Sequence, residues 1–442
     1  MKRLIEKELL KWKNQEDRLP LIVRGARQVG KSFTIERFGK ENFKNLITLN
    51  FEFKPAYSDC FESFDPNLIV SRIELMTEMD LTDGESLLFL DEIQQCPKAL
   101  LSLRYFKEKR PNLHVIAAGS LLEFALKEED FSFPVGRVMF LYMRPLSFHE
   151  FLLNAGYTKL LKEIEMISLS RTLDAVVHEH TLRLVREYML VGGMPAVVNK
   201  YIETKSFLEV QRLQSALIES YRNDFGRYAS KAQFKYLQKF FDKAPFLVGQ
   251  VFKYVKVDPE ARSRELKIAL EQLCWTGLIN RVFLTSANGV PLQSEVNDKK
   301  FKLVFLDIGL MQNANKIDPN IVLTQDIWQV NEGALAEQFV GQEFLAYGNF
   351  YENTTLYYWE REEAGSTAEV DYIAQVGAKI VPIEVKAGSA GHLKSLKRFM
   401  LDKKSDIGSR ISQSPLEKKD KIINLPFYLI EQMKRIIDEC DG

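Results

Sequence analysis

The sequence has only four cysteines in 442 residues, Cys60, Cys96, Cys274 and Cys440, and no two of them show C-x-x-C spacing. That argues against a cysteine-ligated zinc site and a disulfide scaffold, and suits a reducing compartment. The chain also lacks an excess of either charge, since 60 basic residues cancel 60 acidic ones. No global field draws it to nucleic acid or to an acidic membrane, so any such binding must come from a local patch. No run approaches the ~18 apolar residues that a membrane span needs. Met1 to Gln15 is charged throughout, unlike a signal peptide. The expectation is a cytoplasmic protein with no membrane partner. What is present is ordinary for a folded chain, 46% hydrophobic and 27% charged, and the length suits about three domains.

Between Pro20 and Phe38 an apolar run stops at a glycine loop and a helix follows. Leu21, Ile22 and Val23 supply a buried strand. Gly25, Ala26, Arg27, Gln28, Val29, Gly30, Lys31 and Ser32 then fit G-x-x-x-x-G-K-[ST], with Phe33 next in the helix. Gly25 and Gly30 let the backbone turn its N–H groups toward phosphate oxygens. Lys31 is placed to reach the β- and γ-phosphates, and Ser32 to offer its hydroxyl to Mg²⁺. The helix starting near Lys31 aims its positive end at the same anion. ATP with Mg²⁺ is the expected ligand.

Ser86 to Leu90 is a second apolar run, and it delivers Asp91 and Glu92 at its end. It reads as a central parallel strand whose C-terminal end lies near the glycine loop. Asp91 is expected to hold Mg²⁺ through water, and Glu92 to orient or deprotonate the water that attacks the γ-phosphate. Leu113 to Ser120 is a further buried strand. Ser120 has two readings, a contact to the γ-phosphate or attacking water, and a helix cap. Val138 to Met143 supplies a fifth strand. Arg137 before it is either a cation for transition-state charge, in cis or from a neighbouring subunit, or a surface arginine in a turn.

Taken in order, the glycine loop, the Asp91-Glu92 segment with Pro97 after it, Ala117 to Phe124, Pro134 to Arg137 and Arg144 to Phe151 resemble the AAA-type ATPases of bacteria and archaea that carry a C-terminal domain of unknown function. Tyr188 to Pro195, Leu306 to Leu310, Val370-Asp371 and Ile383 to Lys386 resemble that C-terminal region. The resemblance covers nearly the whole chain. It implies an ATPase core with strand order 5-1-4-3-2, in which one strand separates the glycine-loop strand from the Asp-Glu strand.

The middle of the chain reads as helical from Ser147 to Tyr201, with a break at Gly192 to Pro195, and again from Ser206 to Ala229. His178 and His180, two apart, fall on different faces of a helix and read as solvated rather than as a metal pair. From Ser230 to Gln312 the order is three helices, Phe234 to Phe241, Phe246 to Val255 and Ser263 to Trp275, then a hairpin of Leu278 to Leu284 with Phe301 to Leu306. This resembles a winged helix-turn-helix. Arg262, Arg264 and Lys267 near the start of the third helix make DNA a candidate partner.

The last domain is expected to begin near Trp328, with Glu332, Glu337 and Glu343 on a helix. Three strands follow, Leu356 to Trp359, Ala368 to Ala374 and Lys379 to Lys386. Period-2 alternation points Glu384 and Lys386 to one face, where Asp371 on the adjacent strand can meet them. Two carboxylates and a lysine on one face can hold a divalent metal, activate water and stabilise charge on a phosphodiester. The pattern resembles the restriction-endonuclease-like fold, in which Glu337 takes the place of the helix glutamate. A retained fold without nuclease activity is the alternative. Lys394, Lys397 and Arg398 offer a phosphate-facing helix.

The expected fold class is α/β: a P-loop NTPase parallel sheet, a helical and winged-helix middle, and a restriction-endonuclease-like α/β domain. The expected boundaries are 1–155 for the ATPase domain, 156–229 for a helical region, 230–325 for the winged-helix-like domain and 326–442 for the last. The expected activity is ATP hydrolysis, coupled either to a DNA-related role or to a regulatory switch that recruits a protein partner. The oligomeric state is left open.

Overall fold

In a computed structural model of the chain, the apolar stretches of the N-terminal third become five parallel strands. Residues 1–120, 122–125, 136–316, 333–363, 367–388 and 393–441 are described. The expectations for Pro134, Val135, Trp328 and Glu332 lie outside them. The chain divides into two units, Met1–Arg144 with Trp275–Gly277 and Asn349–Asn353, and Pro145–Cys274 with Leu278–Gly348 and Thr354–Gly442.

The first unit runs α1 (Glu6–Lys13), β1 (Leu21–Arg24), α2 (Lys31–Asn42), β2 (Asn45–Asn50), α3 (Pro66–Thr77), β3 (Ser86–Asp91), α4 (Pro97–Lys109), β4 (His114–Ala118), α5 (Leu122–Ala125) and β5 (Met139–Tyr142). The sheet order is β2-β3-β4-β1-β5, every pairing is parallel, and the order read from the other edge is the expected 5-1-4-3-2. Leu87, Leu88, Phe89 and Leu90 of β3 are all fully buried. Strands sandwiched this way have no solvent face, which is why they read as continuous apolar runs rather than as alternation. Ile22, Ile47, Leu88, Leu90 and Ala117 share a core with Ile69 and Ile73 of α3 and Leu100 and Leu103 of α4. Each of these leucines and isoleucines contributes about 1.5–3 kcal/mol by leaving water. This is the P-loop NTPase arrangement of a mixed α/β domain.

The second unit begins with α6 (Phe148–Asn154), α7 (Thr158–Glu165), α8 (Ala175–Val191), α9 (Pro195–Thr204), α10 (Phe207–Asp224), α11 (Lys231–Lys243) and α12 (Ser263–Trp275). It continues through β6 (Ile279–Thr285), β7 (Val296–Phe305), α13 (Ile308–Ala314), α14 (Ala334–Ala346), β8 (Leu356–Glu360), β9 (Glu369–Val376) and β10 (Lys379–Val385). The last elements are α15 (Lys394–Asp402), β11 (Gly408–Ser412), β12 (Glu417–Lys419), β13 (Ile422–Pro426) and α16 (Met433–Asp438). Ser147, Asp174, Ser206, Ser230 and Asp307 cap the helices that follow them, each accepting a backbone N–H of the first turn.

Two expectations are corrected here. No α-helix covers Phe246 to Val255. Only single 3₁₀ turns form at Ala244–Phe246 and Tyr254–Lys256, and Gly249, inside the expected helix, sits at φ +77°, away from helical backbone. The hairpin of β6 and β7 does form, antiparallel, but it is not a free wing. β6 also pairs in parallel with β8, which makes the hairpin one edge of an eight-stranded sheet ordered β12-β13-β11-β10-β9-β8-β6-β7. The three-helix-and-wing reading came from local pattern. The parallel β6–β8 partner is remote in sequence and leaves no local signal.

A buried polar network explains several motifs of this unit. Asp307 is fully buried and accepts from the N–H of Gly193 at 2.6 Å and of Leu310 at 3.0 Å. A Cβ on Gly193 would come within 2.1 Å of the Leu146 carbonyl oxygen, so only glycine fits there. Gln338 both donates to and accepts from the backbone of Phe305. Gln342 accepts from the N–H of Ile308 and donates to Tyr188, and Glu343 accepts from the N–H of Phe148. The breaks at Gly192-Gly193 and Leu306 to Gly309 thus hold α8, α13 and α14 together, since buried backbone groups need partners.

Candidate nucleotide site and carboxylate cluster

In the first unit the residues of the glycine loop and of the β3 end meet at the C-terminal edge of the sheet. Gly25 sits at φ +148°, and a Cβ there would lie 2.1 Å from the Met143 carbonyl oxygen. Val29 is fully buried and anchors the loop. Behind it Arg3, absent from the sequence reading, donates to the Val29 carbonyl at 2.8 Å and to that of Arg144 at 2.6 Å. Gln28 adopts φ +64°, which turns consecutive amides the same way and favours an anion. Gly30 caps α2 in the left-handed region, and Lys31 opens the helix. Phe33 is exposed.

Lys31 is buried, and its Nζ donates to the carbonyls of Gly25 at 2.9 Å and Ala26 at 2.8 Å. Burial pushes its pKa down to about 8, against the pull of Glu92 and Asp91. The Oγ of Ser32 donates to Oδ1 of Asp91 at 2.9 Å. Asn50, opposite Asp91 in the β2–β3 register, donates to its Oδ2 at 2.9 Å. Burial raises the Asp91 pKa, with the Ser32 bond opposing it. Glu92 stands at φ +50° and accepts from Nε2 of Gln94 at 2.6 Å. Ser120 is buried just past β4, and its Oγ has no hydrogen-bond partner among the described residues. A buried hydroxyl left over at the sheet edge, and a lysine that has only carbonyls to donate to, fit a triphosphate. Ser32 and Asp91 supply the hard oxygen donors that suit Mg²⁺.

Arg137 does not join this group. β5 runs parallel to β1 with Met139 beside Leu21, the first residue of β1. Arg137 therefore precedes the strand at the N-terminal edge of the sheet, opposite the loop, where it pairs with Glu108 at 3.3 Å. The reading of Arg137 as a cation in cis is corrected by that strand direction.

The second unit brings Glu337, Asp371, Glu384 and Lys386 together, with two additions. Asp371 accepts the N–H of Val385 at 2.8 Å, and Lys386 Nζ lies 2.6 Å from Glu384 Oε1. Tyr372 donates its hydroxyl to the Glu337 carbonyl at 2.8 Å. The additions are Glu369 and Lys302. Nζ of Lys302 lies 2.5 Å from Glu369, 3.2 Å from Glu337 and 3.7 Å from Asp371. Burial works against charge on Lys302, yet Glu337, Asp371 and Glu369 hold its pKa well above the lysine range. Burial pushes Glu337 up to about 8 despite Lys302, and Glu384 up to about 7, with Asp371 adding to the rise. Glu369 carried a signal, being two residues before Asp371 on one strand face. For Lys302 the only hint was a lysine inside the apolar run Phe301 to Phe305. Lys302 and Lys386 supply the counter-charge to these carboxylates. Among the described residues no three His, Cys, Asp or Glu side chains converge as a metal site.

Arg262, Arg264 and Lys267 are exposed at the start of α12, and Lys394 and Lys397 on α15, whereas Arg398 pairs with Asp402 at 3.0 Å. His178 is not solvated: its ring nitrogens meet the Tyr428 hydroxyl at 2.7 Å and the Gln413 carbonyl at 2.9 Å. No described helix is long and apolar enough to cross a membrane.

Residues 17–152 match the family described as an AAA domain. Residues 182–320 and 332–428 match two families each described as a domain of unknown function, DUF8612 and DUF4143. The N-terminal unit is thus an AAA-type, P-loop nucleotide-binding domain. No curated protein matches the chain. Among solved structures, the Thermotoga maritima RuvB Holliday junction branch migration motor is similar at 14% identity, over 63% of this chain and 88% of that one, with a TM-score of 0.30. C. elegans PCH-2 is similar at 14% identity, over 46% and 60%, with a TM-score of 0.26. The Aeropyrum pernix ORC2 protein is similar at 12% identity, over 72% and 92%, with a TM-score of 0.22. Likeness of this size does not carry the activities of those proteins over to this chain.

Proposed function

We propose that the N-terminal unit binds ATP with Mg²⁺ and hydrolyses it. The observation that carries this is the Ser32–Asp91 hydrogen bond of 2.9 Å, which joins two motif halves 59 residues apart. Lys31 would release the two loop carbonyls and donate to the β- and γ-phosphates. Ser32 and Asp91 would hold Mg²⁺, which supplies charge neutralisation on the phosphate oxygens. Glu92 would leave Gln94 and take a proton from the attacking water, and Ser120 would donate its unused hydroxyl to the phosphate or that water. An ATP-binding titration with turnover measured on the same preparation tests the reading. Absence of binding at millimolar ATP overturns it.

For the second unit, the regulatory reading fits the carboxylate cluster better than the nuclease reading. In it, nucleotide state governs recruitment of a protein partner, and the nuclease-like arrangement is inert. The support is Lys302, whose ammonium pairs with Glu337 and lies near Asp371, two of the carboxylates that a nuclease would turn toward metal. The DNA-directed reading draws on the exposed Arg262, Arg264 and Lys267 and on the gathering of Asp371, Glu384 and Lys386. Metal-dependent cleavage of plasmid and single-stranded DNA separates the two.

A further inference from the structure

Asn50 ends β2 and stands opposite Asp91, which ends β3. Its side-chain amide is held from both sides. Nδ2 donates to Oδ2 of Asp91 at 2.9 Å, while Oδ1 accepts the backbone N–H groups of Glu52 at 3.1 Å and Phe53 at 2.8 Å. A flipped amide would set oxygen against carboxylate and NH₂ against N–H, so only this orientation is stable. The Asn50 carbonyl also accepts from the N–H of Lys54 at 3.0 Å. Glu52 in turn pairs with Arg27 of the glycine loop at 3.5 Å. The turn that follows β2 is thereby tied to both halves of the nucleotide site.

Packing does not hold that turn. Glu52, Phe53 and Lys54 are all exposed, and Phe53, at 88%, is the most exposed large apolar side chain among the described residues. Phe51 just before them is buried edge-on against Phe61, with ring centroids 5.6 Å apart. The strand end is thus anchored, and the aromatic ring two residues on is left in water. One exposed ring is no signal by itself. Its tether to Asp91 is the signal, because the two oxygens of that carboxylate are divided between Ser32 and Asn50. A ligand gained by the carboxylate must share an oxygen with one of them, and a shift at Asn50 is a shift of the amide that holds the turn.

We propose that Asn50 is a positioning residue: it fixes the Asp91 carboxylate and carries the nucleotide state of the site to the Glu52–Phe53 turn, so that Phe53 changes place when ATP and Mg²⁺ bind. The inference rests on the nucleotide reading of the first unit. It gives the regulatory reading a surface group that differs between the two states.

The test is amide hydrogen exchange of Glu52 and Phe53 in the full chain, with and without ATP and Mg²⁺, while ATP binding is titrated on the same preparations. It compares wild type, Asn50→Ala and Asn50→Asp, which keeps an acceptor for the two N–H groups but has no donor for Asp91. Without nucleotide, wild type and Asn50→Asp are expected to exchange these amides roughly tenfold more slowly than Asn50→Ala. At saturating ATP and Mg²⁺ the wild-type rates are expected to change about threefold or more, and those of Asn50→Asp to stay as they were. Wild type that binds ATP with unchanged rates overturns this inference and leaves the nucleotide reading intact, whereas wild type that binds none overturns both. An Asn50→Asp response equal to that of wild type also overturns the inference. Wild type saturated with ATP in EDTA gives a second measurement that needs no variant. Rates like those without nucleotide support the path through Asp91, and a full response overturns it.

Discussion

The carboxylate of Glu92 is tied to the side-chain amide of Gln94, two residues on, across 2.6 Å, while its own backbone stands at φ +50°. Left-handed backbone at a non-glycine residue is strained and persists where the surroundings enforce it. Here it aims the side chain that follows Asp91. Glu92→Gln keeps the size and loses the base, so ATP binding should stay within about threefold of wild type while turnover falls about 10²-fold or more. Turnover at the wild-type rate in a coupled assay would remove Glu92 from the proposed role.

Lys31→Ala should abolish ATP binding, because it removes the cation that opens the helix at the loop, and the loop's other cation, Arg27, pairs with Glu52 at 3.5 Å. The wild-type site should also respond to pH. With the Lys31 pKa pushed down to about 8 by burial, the free site loses its ammonium above that value, whereas bound triphosphate favours the charged form. Affinity should be flat below about pH 7 and then weaken by up to about tenfold per unit above about 8, with proton uptake on binding. Calorimetry in buffers of different ionisation enthalpy reads that uptake. A flat profile through pH 9 would contradict it.

Arg137→Ala should leave ATP binding and turnover of a single chain within about twofold of wild type. The arginine lies at the wrong edge of the sheet, and its pair with Glu108 is exposed to solvent and screened by it. A large loss of turnover that appears only as protein concentration rises would instead assign Arg137 to a neighbouring subunit.

Asp307→Ala should destabilise the second unit by about 2–4 kcal/mol, read from urea melts, because it strands the buried N–H groups of Gly193 and Leu310. Burial pushes the Asp307 pKa up to about 6. The unfolded carboxyl therefore ionises first, and this group's contribution to stability is present at low pH and lost as pH rises from about 4 to 6. Asp307→Asn should flatten that stretch of the stability profile. An unchanged slope would mean that other groups set it.

Supercoiled plasmid and single-stranded DNA should survive incubation with the wild-type chain and Mg²⁺ or Mn²⁺, with or without ATP. Cleavage that disappears in Asp371→Asn would restore the DNA-directed reading in place of the regulatory one.

What the sequence determined by itself was local. A strand, a glycine turn and a helix within Leu21 to Asn42 follow from neighbours a few residues apart, and so does the delivery of Asp91 and Glu92 by an apolar strand. The alternation that puts Glu384 and Lys386 on one face is likewise a property of a single strand. Family resemblance supplied the strand order, which periodicity cannot give. Only the tertiary structure decided which edge of the sheet Arg137 occupies, because that depends on the direction in which β5 returns beside β1. It alone broke the expected helix at Gly249, buried His178 against Tyr428, and joined the hairpin to β8. Lys302 is the clearest case. It meets Glu337 from 35 residues away and Asp371 from three strands away. Nothing in a lysine's immediate neighbours specifies such a meeting. It is set by a sheet whose strands come from distant parts of the chain, and by the high cost of leaving a buried ammonium without carboxylates around it.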